Sequence, residues 1–101
     1  MIIALALALC QPGYATAQRP PWAYTARIKR QMLHGRQGSR YILDHRMPIE
    51  LGGDPRDPAN MQLQTKLAAH RKDVVENSLH RAVCSGRMTL ADAQTQMKAW
   101  K

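Results

Sequence analysis

Four features fall within one stretch of the chain: the dipeptide Asp44-His45, the pair Gly52-Gly53, then Asn60 and His70. Their side chains suit acid–base and ion chemistry. A neutral imidazole takes up a proton near pH 7, and a carboxylate with an imidazole can hold a divalent ion. His45 follows Asp44 where a short β-prone run, Tyr41-Ile42-Leu43, ends. Neighbours in a regular strand point to opposite faces, but at a strand end they can splay around one site. Gly52-Gly53 lets the connection double back. Asn60 returns the chain to the start of a second run, Met61-Gln62-Leu63-Gln64, which alternates apolar and polar residues. His70 lies one turn into the helical pattern that follows. A helix packed across the two strands would bring His70 toward Asp44.

The elements that must position these groups are legible on either side. From Lys66 to Cys84 the pattern is helical, with Leu67, Val74, Val75, Leu79 and Ala82 on one broad face and Gly86 as a stop. Thr89 opens a capping-box-like start. Leu90, Ala93, Met97 and Trp100 then lie along one side of a last helix. Upstream, residues 18–40 carry Arg19, Arg27, Lys29, Arg30, Arg36 and Arg40 and no acid. Within them Thr25 can cap a short helix from Ala26 to about His34, ended by Gly35. The expected fold is therefore α+β, in the order helix, strand, long loop, strand, long helix, short helix. The expected segments are an apolar leader over 1–9, a basic arm and helix over 18–40, a core over 41–86 and a C-terminal helix over 87–101.

With 101 residues the chain makes at most one domain, too short for a (β/α) barrel or a doubly wound nucleotide fold. Two cysteines exclude a four-cysteine zinc site. No apolar run is long enough to span a bilayer, so no membrane span is expected, and no protein partner is evident. The formal charge of +8 predicts sequence-independent, salt-sensitive affinity for nucleic acid, without a motif that reads a groove. Met1 to Cys10 is apolar throughout and fits the core of a secretory signal. No Lys or Arg precedes it, so the run is expected to be the later part of a longer signal. Export would place the protein outside the cell or in the periplasm; a cytoplasmic location is the alternative. Cleavage after Ala17 would leave Cys84 as a lone thiol. Cleavage before Cys10 would keep a pair able to form a disulfide.

The succession Asp44-His45, Pro48, Gly52-Gly53, Asn60 and a helical His70 resembles the HNH nuclease family, whose core is the ββα-metal, or His-Me, finger. The likeness extends to a subgroup of small exported bacterial HNH proteins. Cys10-Gln-Pro-Gly-Tyr14, Arg19-Pro20-Pro21, Tyr24-Thr25 and Lys29 are similar to that subgroup's start, and the run from Leu79 to Gly86 with Ala93-Gln94 to its end. The chain lacks the Cys-x-x-Cys zinc pairs that many members carry. The resemblance implies a ββα-metal core flanked by an N-terminal and a C-terminal helix, and metal-dependent endonuclease activity on DNA, with RNA as a second substrate. It makes His45 the general base and Asn60 a second catalytic residue, which orients His45 or the loop or assists at the metal. Asp44 and His70 become ligands of a divalent ion, Mg²⁺ ahead of Mn²⁺, Ni²⁺ or Zn²⁺. Lys29, Arg30, Arg46, Arg71 and Lys72 are the expected nucleic-acid contacts. The resemblance also favours a Cys10–Cys84 disulfide. The competing function is a catalytically silent, basic nucleic-acid-binding module on the same fold.

Several other residues are expected to be structural. His34 should sit at a helix end, His80 should be a surface or packed side chain, and Trp22 and Trp100 should pack. Asp73 and Glu76 should pair with nearby cations.

Overall fold

The computed structural model describes the chain from Ile2 to Trp100. Met1 and Lys101, the outermost residues of the first and last expected segments, lie outside the described residues. The fold is a small α+β arrangement. Helices α1 (Ile2–Leu9), α2 (Tyr14–Gln18) and α3 (Trp22–Leu33) come first. Strands β1 (Tyr41–His45) and β2 (Met61–Thr65), the long α4 (Lys66–Cys84) and α5 (Leu90–Ala99) follow. The strands pair antiparallel, with Asp44 opposite Gln62 and His45 opposite Met61.

β2 passes into α4 without a linking residue. Thr65 ends the strand and caps the helix, its hydroxyl accepting from the Ala68 N–H at 3.2 Å. Thr89 caps α5 in the same way, accepting from the Asp92 N–H at 3.1 Å. Helix α3 starts four residues earlier than Thr25 would place it. Pro21 is its N-cap, and Thr25 sits inside, turning its hydroxyl back to the Trp22 carbonyl at 3.1 Å. The fixed φ of proline suits the entry to a helix. The helix ends as His34 and Gly35 adopt left-handed conformations.

The apolar core lies between the C-terminal half of α4, α5, the turn Ile49–Leu51 and the end of α1. Leu9, Leu51, Leu79, Val83, Leu90, Ala93 and Met97 are buried together. Leu9 packs in this cluster, and the Cys10–Cys84 disulfide fixes the end of α1 beside the end of α4. The side chains that α4 buries are Ala69, Lys72, Leu79 and Val83, whose spacings of 3, 7 and 4 residues trace one helical face. Leu67 and Val74 stand outside that face and are exposed, a correction to the expected apolar stripe. Trp22 is also exposed, at 82%, whereas Trp100 packs against the core. Among the described residues no helix is long and apolar enough to cross a membrane.

Candidate active site

Asp44 and His45 end β1 at the wall of a cleft of about 850 Å³. Helix α3 and the segment before it contribute Arg19, Lys29 and Arg30 to this cleft. Helix α4 contributes Ala69, Asp73, Glu76 and Asn77, and the turn after β1 adds Glu50. Cations thus face carboxylates across one depression.

The His45 ring is held from the loop that follows β1. Its Nε2 lies 3.0 Å from the Pro55 carbonyl oxygen. A carbonyl oxygen can only accept, so Nε2 carries the proton and donates, and Nδ1 is left as the basic nitrogen. The position of that carbonyl is itself built. Asp54 Oδ1 accepts from the N–H groups of Arg56 at 2.8 Å and Asp57 at 3.1 Å, closing a turn around Pro55. These backbone bonds hold the Asp54 carboxyl below its usual range. The Tyr24 hydroxyl donates to the Arg56 carbonyl at 2.7 Å and ties the turn to α3.

Asn60 knits the two ends of this loop together. Its side-chain oxygen accepts from the Met47 N–H at 2.8 Å, and its amide donates to the carbonyls of Met47 at 3.0 Å and Asp54 at 2.8 Å. It does not line the cleft that holds His45. These three bonds hold the loop between Met47 and Asp54 closed. Gly53 is required by close approach: a Cβ there would lie 1.8 Å from the Met47 carbonyl oxygen.

The side chain that α4 sends to Asp44 is Lys72, not His70. Lys72 is 3% exposed. Its ammonium donates to the His45 carbonyl at 2.6 Å and pairs with Asp44 Oδ2 at 3.0 Å and Glu76 Oε2 at 3.3 Å. A buried ammonium is tolerated only when so partnered. The ammonium is off-axis for a hydrogen bond to Asp44 Oδ2, which has no aligned donor although it is buried. Burial pushes the Glu76 carboxyl up to about 7; Lys72 opposes that shift, while Asp44 and Asp73 add to it. Burial likewise raises Glu50.

His70 is exposed and lines neither this cleft nor its neighbour. The expected ion-binding pair, Asp44 with His70, is not brought together, because the face of α4 turned to β1 runs through Ala69, Lys72 and Glu76. The expected phosphate contacts divide. Lys29 and Arg30 line the cleft with His45. Arg46 and Arg71 line a second groove of about 660 Å³, together with Lys98, Gln62, Gln64 and Trp100 and with no acid among the described residues of its walls. Lys72 cannot serve as an exposed contact, since its charge is committed internally.

His80, expected to be a surface or packed side chain, is half-buried beside the disulfide. Its Nε2 lies 3.0 Å from the Leu9 carbonyl and 3.6 Å from Cys84 Sγ. The i, i+4 spacing of His80 and Cys84 on one helix was the available signal. The Cys10–Cys84 bridge, with Cα atoms 5.6 Å apart, points to an oxidising, non-cytoplasmic compartment. Comparison with known proteins gives no match, whether to a family model, a curated protein or a solved structure.

Proposed function

We propose that the protein is an endonuclease of the HNH kind, hydrolysing phosphodiester bonds of DNA, and of RNA as a second class, in the cleft beside His45. On this reading the hairpin β1–β2 and α4 are the ββα finger that the sequence resembles. The observation that carries the reading is the fixed His45 imidazole. It offers a defined basic nitrogen at a cleft wall that also presents Arg19, Lys29 and Arg30. Nδ1 of His45 takes a proton from a water molecule. The water oxygen attacks phosphorus, the bond to the departing 3′-oxygen of the sugar breaks, and that oxygen is protonated from solvent. The three cations of the cleft neutralise the phosphate. Lys72 acts one step back, holding the His45 carbonyl and the Asp44 carboxylate in place.

The divalent ion implied by the resemblance, Mg²⁺ before Mn²⁺, Ni²⁺ or Zn²⁺, finds only one of its two expected ligands here. Asp44 has an oxygen without an aligned donor, but His70 is outside the cleft and the Lys72 ammonium already lies against Asp44. The two-residue set does not fit, and no step above passes through a metal. Secretion, or residence in the periplasm, is the location proposed with this activity, in keeping with the disulfide.

The acid-free groove with Arg46, Arg71 and Lys98 supports nucleic-acid binding on its own, the catalytically silent alternative. Plasmid nicking by the oxidised protein separates the two readings, run with a panel of divalent ions and with a chelator. Nicking that disappears in His45→Ala, with DNA retention and circular dichroism unchanged, supports the nuclease. DNA retention without nicking under every ion overturns it in favour of the binding module.

A further inference from the structure

We propose that Cys10, His80 and Cys84 form a binding site for a thiophilic cation, Zn²⁺ in the first instance, once their disulfide is reduced. The site lies at the far end of α4 from the cleft and is independent of the nuclease reading. His80 and Cys84, four residues apart, share one face of α4. The turn after α1 brings in Cys10. One donor atom from each of the three, two sulfurs and a ring nitrogen, lies within 4.8 Å of the others. A tetrahedral zinc ion with bonds of about 2.3 Å to sulfur and about 2.0–2.1 Å to nitrogen needs donor atoms roughly 3.4–3.8 Å apart. Parting the two sulfurs to that distance needs only side-chain rotation, and the 5.6 Å between their Cα atoms remains compatible. His80 Nε2 is already 3.6 Å from Cys84 Sγ. Cys84 is exposed, so a fourth position can be taken by water, giving three protein ligands and one open site.

A phosphine or dithiol reductant delivers two electrons, the S–S bond breaks, and two thiols form. Binding of the cation releases one proton from each thiol to the buffer. The His80 proton moves from Nε2 to Nδ1, so that the Nε2 lone pair turns from the Leu9 carbonyl to the metal. The ion then joins the same segments that the disulfide joins, the end of α1 and the end of α4. Zn²⁺ should therefore raise the thermal midpoint of the reduced chain and leave that of the oxidised chain unmoved.

The test uses the full chain in its two redox states, with Co²⁺ as a spectroscopic probe and Zn²⁺ as competitor, under anaerobic conditions. The reduced protein should bind one equivalent of Co²⁺ with a near-ultraviolet thiolate-to-cobalt charge-transfer band, bleached by Zn²⁺. The oxidised protein should show no such band. His80→Ala should weaken Zn²⁺ binding by at least the roughly 10–100-fold that follows loss of an outer-shell partner. Absence of the band in reduced wild-type protein overturns the proposal, as does unchanged affinity in His80→Ala. Should reduction unfold the chain, Co²⁺ must restore both the band and the helical circular dichroism, and failure to do so also overturns it.

Discussion

The two halves of α4 are held by opposite kinds of interaction. The N-terminal half buries a charge, Lys72, within reach of two carboxylates and a carbonyl. The C-terminal half buries Leu79 and Val83 in the apolar cluster and is joined covalently to Cys10. Apolar burial stabilises without regard to direction. An ion pair repays its desolvation only when its geometry is right. The half that meets His45 is thus electrostatically exacting and weakly stabilising, while the half remote from it supplies the firm attachment. A fold can carry such a polar cluster beside a reacting group when another part of the same helix fixes its position.

Four experiments break or sharpen that contrast. The largest effect should come from the base: His45→Ala should lower nicking by about 10²–10⁴-fold, with the thermal midpoint nearly unchanged. Next is Lys72→Met, which leaves Asp44 and Glu76 buried without their cation. It should destabilise by about 3–5 kcal/mol, read as a lower urea midpoint. A neutral outcome there would mean that the polar half tolerates an apolar filling and is not exacting at all. Reducing the disulfide, or replacing both cysteines by serine, should cost about 2–4 kcal/mol and leave the His45–Pro55 contact in place, as read by the His45 ring resonances.

The smallest effect is the pH dependence of Glu76. Its folded pKa of about 7 lies above the ordinary 4.5, so between those values the folded state binds more protons than the unfolded one. The stability it contributes is fully present below pH 4.5 and is lost as pH rises through about 7. Glu76→Gln should flatten this slope and raise the midpoint at pH 8 by about 4–8 °C for each kcal/mol recovered. A slope unchanged by the substitution would assign the titration to another group.

Elements with a strong local signal are readable from the sequence. Helix α4 spans Lys66–Cys84 as its periodicity predicts, and Thr89 caps α5. The rotation of α4 about its axis is not readable in the same way. Leu67 and Val74 look like core residues, yet the buried set runs through Ala69 and Lys72. A lysine in that series reads as a surface residue until its partners, twenty-eight residues earlier and four later, are placed around it. His70 looks like a ligand because of its type and order, but two residues along a helix turn a side chain by roughly 200°. Asn60 stands out in the sequence only by its place in the motif. Its three hydrogen bonds are not legible there, since they depend on where Met47 and Asp54 come to rest.

The junction at Thr65, where strand becomes helix with nothing between, sets the grammar of insertion and deletion for this protein. One residue added there would rotate everything downstream by about 100°, withdrawing Lys72 from Asp44 and Cys84 from Cys10 in a single event. Divergent copies should therefore keep the count from Met61 to Cys84 nearly constant and vary in length outside it.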